Sequence, residues 1–198
     1  MRLLLIAAIT AFCSLPAWAG QWTLDPSVSS LSFSSIKAGD VGEAHRFTGL
    51  TGDVTETGAA RVTIDLNSVE TGVDIRNERM RDFLFNTAKF PNAIVTTDVD
   101  LSRFDALGVG ESTAIAATAT LALAGQETRI DTPLMVTRIG LDRVAVEPPE
   151  LIIIDALSLG LADGVNKLRE LAGLDAISLA VPTTFRFVFV ETETREQI

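Results

Sequence analysis

Over long stretches of this chain apolar and polar residues alternate at period two, which confines those stretches to strands that bury one face. From Ala60 to Leu66, the side chains of Ala60, Val62, Ile64 and Leu66 point one way, and Arg61, Thr63 and Asp65 the other. The run from Ser112 to Ala124 repeats the pattern. Ile115, Ala117, Ala119, Leu121 and Leu123 share a face opposite Thr118 and Thr120. Ala124-Gly125-Gln126-Glu127 has the composition of a hairpin turn, and its partner strand runs from about Thr128 to Arg138 with Ile130, Leu134 and Val136 on one face. Thr183 to Val190 sets Phe185, Phe187 and Phe189 against Arg186, Val188 and Val190. Residues 28–36, 44–50, 93–101 and 143–146 fit four more strands. Turn chemistry separates them at Ala38-Gly39-Asp40, Glu56-Thr57-Gly58, Leu107-Gly108-Val109-Gly110 and Pro148-Pro149.

Two segments follow a helical period instead. Asp74 can cap a helix over 75–86 with Met80, Phe83 and Leu84 on one side. Asp163 can cap a second over 164–172, with Val165, Leu168 and Leu171 buried and Gly173 as its stop. Antiparallel strands joined by short turns specify a sandwich or a barrel. Eight strands in a chain of this length favour an all-β, eight-stranded antiparallel up-and-down barrel with two short helical insertions. A barrel of that strand count is filled by side chains or holds one small ligand. Inward-facing Ala117 and Ala119 suggest space near the axis, whereas the helix over 75–86 or a large Phe could fill it. The residues alone leave core and cavity equally weighted.

The first residues have the form of an export signal. Arg2 precedes the apolar run Leu3 to Phe12, Pro16 ends it, and Ala17-Trp18-Ala19 has the small-x-small form of a signal-peptidase site. The run is too short for a membrane span, which takes about 20 apolar residues. The expectation is a signal peptide over 1–19 cleaved after Ala19, a single domain over 20–198, and a periplasmic or secreted location. Cys13 falls within the leader, so the mature domain would have no cysteine and would rest on core burial alone.

Composition excludes several chemistries. Lys+Arg number 16 against 26 Asp+Glu, giving a net charge of −10, and no basic cluster stands out. That argues against nucleic acid and against a basic patch for anionic lipid headgroups. One Cys and one His make a zinc site improbable on donor chemistry, and no metal is expected. There is no G-x-S-x-G, P-loop, H-E-x-x-H or G-x-G-x-x-G motif. Glu43 and His45 share a strand face. Arg76, Glu78, Arg79, Arg81 and Asp82 read as a solvated helix face with i,i+3 and i,i+4 pairing.

Several segments together carry a family resemblance. They are Trp22-Thr-Leu-Asp-Pro-Ser27, Leu31-Ser-Phe33, His45-Arg-Phe47 leading to Gly49-Leu-Thr-Gly52, and Ile64-Asp-Leu-Asn-Ser-Val-Glu-Thr-Gly72. Arg76-Asn-Glu-Arg-Met-Arg-Asp-Phe-Leu-Phe85, Lys89-Phe-Pro91 and Val181-Pro-Thr-Thr-Phe-Arg-Phe187 complete the pattern. The chain resembles the YceI-like family of bacterial periplasmic proteins over nearly all of its mature length. The resemblance implies a lipocalin-like, extended eight-stranded barrel. It also implies an elongated apolar cavity for polyisoprenoids or similar long-chain amphiphiles, such as isoprenoid quinones. One departure is the segment 161–176, which inserts a helix before the last strand and could alter the cavity mouth or cover one barrel end.

On strand parity and this resemblance, Phe33, Phe47, Phe83, Phe85, Phe90, Leu121, Leu134, Phe185 and Phe187 are expected to line the cavity. His45 and Glu43 are the candidates for contact with a polar head. No catalytic residue and no cofactor is expected. The leading function is a carrier, store or stress-protective binder of an isoprenoid-like lipid. Its partner is a long-chain apolar small molecule, with transient membrane contact and self-association both open. The alternatives are an enzyme acting on a prenyl lipid, with His45 or Glu43 as acid or base, and an envelope stress protein whose cavity is incidental.

Overall fold

The computed structural model describes residues 21–192, so the leader expected over 1–19, with its cleavage point, lies outside the described residues. The strands assemble as eight staves of one closed antiparallel barrel, several of them broken in two. The first stave is β1 (Gln21–Leu24) and β2 (Ser30–Lys37); the second is β3 (Val41–Phe47) and β4 (Leu50–Val54). The third is β5 (Ala59–Asp65) and the two-residue β6 (Val69–Glu70), joined by a 3-10 turn over Leu66–Ser68. Then come β7 (Asn92–Asp98), β8 (Ser112–Leu123) and β9 (Gln126–Gly140). β10 (Arg143–Glu147) and β11 (Ile152–Asp155) form the seventh stave and β12 (Ala180–Thr192) the eighth. The ring closes because β1 pairs with both β4 and β12, with Trp22 opposite Val54 and Leu24 opposite Phe189.

The breaks follow from the sequence. Between β1 and β2, Asp25-Pro26-Ser27 makes a turn in which Asp25 Oδ1 accepts from the Ser27 N–H at 3.1 Å and the Ser27 hydroxyl at 2.6 Å. Val188 of β12 faces that gap and loses nothing by it. Its carbonyl accepts from the Asp25 N–H at 2.8 Å, and its own N–H donates to Ser29 Oγ at 2.9 Å. The strand expected over 44–50 is β3, which stops at Phe47; the chain breaks at Thr48-Gly49 and resumes as β4, which was not anticipated beyond Leu50. A side chain on Gly49 would meet the Asp65 Cβ at 2.9 Å, so only glycine lets the two staves approach there. β1 and β11 were not anticipated as strands. Each has only 4 residues, too few to display a period of two. β11 pairs with β12 alone.

Helix α1 (Asp74–Arg79) runs directly into a π-helical turn over Met80–Phe85 that ends at Asn86 in the left-handed conformation. α2 (Ser102–Asp105) is a single turn without a sequence signal, and α3 is Ala162–Ala172. Neither expected cap forms: Asp74 is already helical behind Val73, α3 starts from Leu161, and neither N-cap makes a side-chain bond. Gly173 does stop α3, at φ 64°. Leu171, expected to be buried, is exposed. None of the three helices described is long and apolar enough to cross a membrane.

The charged face of the first helix is not simply solvated. Arg76 Nη1 donates to Glu43 Oε2 at 2.7 Å and its Nη2 to the Thr71 carbonyl at 2.7 Å. Arg79 reaches the Leu171 carbonyl of α3 at 3.2 Å, and Arg81 the Asn67 carbonyl at 3.3 Å. Buried Asn77 accepts both the N–H and the hydroxyl of Thr71, at 2.9 and 2.6 Å. The Ser-Val-Glu-Thr-Gly and Arg-x-Glu-Arg-Met-Arg segments are thus two halves of one clasp that fixes α1 to the barrel end.

Candidate ligand-binding cavity

The inward faces of the staves enclose a cavity of about 320 Å³. Its wall is almost wholly apolar: Val62 and Ile64 from β5, Ala93 and Val95 from β7, Ile115 to Leu123 from β8, Ile130 to Val136 from β9, and Phe185 to Phe189 from β12, each at alternate positions. Thr97, Thr132 and Thr183 interrupt these walls, and Arg61, Asp105 and Glu191 are the charged residues that border the cavity. The register explains the agreement between strands. Ile115 stands opposite Leu134, Ala117 opposite Thr132 and Ala119 opposite Ile130, so facing pairs project to the same side. Ala117 and Ala119 sit at its middle and leave the volume that Leu or Phe would occupy.

Each end of the cavity has its own closure. At one end Trp22, Phe104 of α2 and Phe189 converge. Arg138 ties that closure down, donating to the Leu141 carbonyl at 2.7 Å and the Phe104 carbonyl at 3.4 Å. At the other, helical end, Leu84 and Phe85 from the π turn, Leu161 just before α3 and Val165 within it form the cover. The inserted helix of 161–176 therefore does cap one end of the barrel.

Seven of the nine residues expected to line the cavity do so: Phe33, Phe47, Phe85, Leu121, Leu134, Phe185 and Phe187. Phe83 and Phe90 do not. Phe83 is 46% exposed, and Leu84 takes the inward place. An α-helical phase puts positions 80, 83 and 84 on one face, but a π turn closes i to i+5, so burial passes from Met80 to Leu84 and Phe85. Phe90 leaves the helix past the left-handed Asn86 and covers Gly125 in the β8–β9 turn, where an added Cβ would lie 2.9 Å from its ring. Its own Lys89 sits 4.9 Å above the ring. Sequence reasoning missed Trp22, Phe104, Leu84 and Val165 as lining. Trp22 and Leu84 lie inside the family segments, whereas nothing in the sequence singles out Phe104.

An aromatic chain leads out of the cavity at the helical end. Phe85 meets Phe47 at 5.8 Å between ring centroids, Phe47 meets Phe33 at 5.2 Å, and Phe33 meets the His45 ring at 5.3 Å. The inward face of the β2–β3 hairpin then turns polar. After Leu31–Phe47 and Phe33–His45, the next facing pair is Ser35–Glu43, followed by Lys37–Val41. Glu43 is bound by Lys37 at 3.0 Å and by Arg76 at 2.7 Å, and these partners hold its carboxyl below the usual range. His45 is 4% exposed and hydrogen-bonds to Ser35 Oγ through Nε2 at 2.8 Å. Burial, helped by the Arg76 charge, pushes its pKa down, so the ring is neutral at pH 7. Its Nδ1 is buried without a partner, as is the Nε of Arg76. Neither His45 nor Glu43 belongs to the wall of the cavity itself; they stand next along the same strand face.

A closed eight-stranded barrel with an apolar interior and a helical cap defines a class of small-ligand-binding barrels. Within that class the chain belongs to the YceI-like domain family, whose model matches residues 22–188. It is similar to the structure of a polyisoprenoid binding domain from Saccharophagus degradans implicated in plant cell wall breakdown. The two share 42% identity and a TM-score of 0.85, over 86% of this chain and 98% of the other. It shares the fold of BcnA from Burkholderia cenocepacia, at 17% identity and a TM-score of 0.63 over 83% and 98% of the two chains. It shares it also with the Campylobacter jejuni YCEI protein, at 15% identity and a TM-score of 0.53 over 75% and 85%. A comparison with curated proteins gives no match.

Proposed function

We propose that this protein binds the chain of an isoprenoid-like lipid in its barrel cavity and carries or stores it outside the cytoplasm. The observation that carries this reading is the cavity itself: an interior of about 320 Å³ walled by aliphatic and aromatic side chains. Apolar walls of this kind recognise length and width rather than functional groups. Each buried methylene contributes about 0.8 kcal/mol before the cost of ordering the chain. The polyisoprenoid-binding description of the 42% identical relative supports the isoprenoid class. The apolar run and Ala17-Trp18-Ala19 support export.

The same reading takes the protein as a binder and not an enzyme. Glu43 is locked between two cations, which makes it a weak base, and the His45 ring is walled in. Native mass spectrometry of protein purified gently from the periplasm tests the proposal. The expected result is a retained lipid with a polyprenyl mass series that survives prolonged incubation unchanged. Protein that emerges empty and fails to take up a tetraprenyl chain would overturn the binding reading. Conversion of the retained lipid would replace it with the enzymatic one.

A further inference from the structure

The seventh stave closes the barrel over only part of its length. β10 pairs with β9 as far as Glu147 opposite Met135. Pro148 and Pro149 follow, which bring no N–H to a ladder, and the chain resumes as β11, bonded to β12 alone. Residues 126–134 of β9 therefore have β8 along one edge and no strand along the other. Among the described residues, no hydrogen bond or ion pair joins this run to residues 148–160. The seam ends at Gly160, where an added Cβ would stand 3.5 Å from Gln126 Cγ. At strand rise it is about 25–30 Å long.

Both banks of the seam belong to the cavity. Ile130 and Thr132 of β9 and Ile152 and Ile154 of β11 line it. All four are only half-buried although they face inward, whereas Ala117 and Leu121 on neighbouring β8 are buried. The outside of β11 is apolar too. Leu151 and Ile153 are exposed, as is Leu157 in the turn that follows. A lipid chain at this place would meet aliphatic side chains both outside and inside the wall.

The two ends of the barrel are less open to a chain. At one, Trp22, Phe104 and Phe189 converge, Arg138 fastens them, and Asp105 and Glu191 border the passage. At the other, Arg79 donates to the Leu171 carbonyl of α3 at 3.2 Å and holds the cap in place. A chain that enters by either end breaks hydrogen bonds or passes carboxylates. Moving β11 away from β9 breaks no hydrogen bond between them. Local opening begins where the fewest bonds must be given up.

We propose that the lipid chain enters and leaves sideways, through the seam between β9 and β11, with Leu151, Ile153 and Leu157 as the apolar strip it crosses. The proposal rests on the reading of the cavity as a lipid site, and adds the route. A chain that lies along the strands slips in along its length and need not be threaded through an end. β11, held by β12 and by its connection to α3, is the movable bank.

The test locks the wall and follows uptake of retinol, a fluorescent isoprenoid alcohol. Cys13 is the chain's only cysteine, so in a Cys13→Ser background two introduced thiols are the only ones present. Arg129→Cys with Ile153→Cys spans the seam, Arg79→Cys with Leu171→Cys the helical cap, and Arg103→Cys with Leu141→Cys the opposite end. Each pair is joined by a flexible reducible bis-thiol linker, with joining read by intact mass, and compared with itself after reduction. The seam lock is expected to slow uptake and release by about tenfold or more, with full recovery on reduction, while the two end locks leave both rates unchanged. In protein without a link, Leu151→Glu with Ile153→Glu is expected to slow uptake and release together by about three- to tenfold and to leave the equilibrium affinity unchanged. An end lock that stops uptake while the seam lock does not would overturn the sideways route. Equal slowing by all three locks would overturn it as well, because it would mean that the whole barrel must loosen. A Leu151→Glu, Ile153→Glu variant that loses affinity with unchanged uptake would show that the strip belongs to the site and not to the route. Failure of the parent protein to take up retinol or a plain tetraprenyl chain would overturn the cavity reading, and this one with it.

Discussion

Gly164 of α3 lies directly over the carbonyl of Phe83: a Cβ at position 164 would stand 2.6 Å from that oxygen and 2.9 Å from the Cα of Leu84. The cap of the barrel is therefore joined backbone to backbone. This contact is what the inserted helix contributes to the cavity. With α3 seated on the π turn, Val165 and Leu84 both reach the interior while Phe83 is turned outward.

Gly164→Ala should separate the two elements. Backbone atoms cannot give way as the end of a side chain can, so α3 must shift, at a cost of about 1–3 kcal/mol. For a domain of this size the thermal midpoint should fall by roughly 2–4 °C for each kcal/mol lost. Bound lipid should also leave faster, because the cap is loosened. A thermal melt and a dissociation rate unchanged from the parent protein would show that the cap is not built on this contact.

Ala117→Phe should fill the cavity from the middle of β8. Ala117 is buried, faces Thr132 across the ladder and lines the interior. A ring placed there takes up space that the apolar wall leaves empty, so strain should be modest while a bound chain is excluded. The expected outcome in a probe-displacement titration is loss of tetraprenyl binding with the circular dichroism spectrum retained. Undiminished binding by the folded variant would place the ligand elsewhere.

Legibility followed the length and regularity of each element. The β8–β9 hairpin and β12 are long enough for period two to show both the strand and its inward face, and Leu121, Leu134, Phe185 and Phe187 follow directly. The π turn was illegible, since a one-residue change of helical phase leaves no trace in composition, and it turned Phe83 away from the face expected for Met80, Phe83 and Leu84. Arg76, Arg79 and Arg81 looked solvated because each has a backbone carbonyl as acceptor, at Thr71, Leu171 and Asn67, and a carbonyl has no letter in a sequence. Phe90 was misplaced because parity cannot run through the left-handed Asn86. The closeness of His45 and Glu43 to Arg76, across 33 residues between Glu43 and its partner, needed the fold.

Asn77→Ala should undo the clasp between the β6 loop and α1. Asn77 Oδ1 accepts two hydrogen bonds from Thr71, at 2.9 and 2.6 Å, and both residues are buried. Truncation leaves the Thr71 N–H without an acceptor, at a cost of about 1–3 kcal/mol where water cannot reach, and leaves the hydroxyl only the longer contact to the Val73 carbonyl at 3.3 Å. Thr71→Val with Asn77→Leu removes the hydroxyl and one acceptor together, and should lose less than Asn77→Ala. Denaturant midpoints for the two variants decide it. A double variant less stable than the single one would mean the pair serves geometry rather than satisfaction.

The pH dependence of stability should carry a step due to His45, the chain's only histidine. Burial, with Arg76 and Lys37, holds its pKa in the folded protein below the ordinary 6.5, against a smaller opposing pull from Glu43. As pH falls through 6.5 the unfolded chain takes up a proton that the folded protein refuses, so unfolding is favoured. Stability should therefore be level above about pH 6.5 and decline below it, until the folded protein also becomes protonated. Asp25, Glu43, Glu70, Asp100 and Asp131 have lowered values as well, through hydrogen bonds and neighbouring cations. Their contribution is full above the ordinary carboxylate range and is lost as pH falls through their folded values, which separates it from the histidine step. Denaturant midpoints measured from pH 8 to pH 5.5 should decline for the parent protein and decline less for His45→Gln, which lacks the ring. Identical declines in the two proteins would show that the buried ring is not the group being titrated.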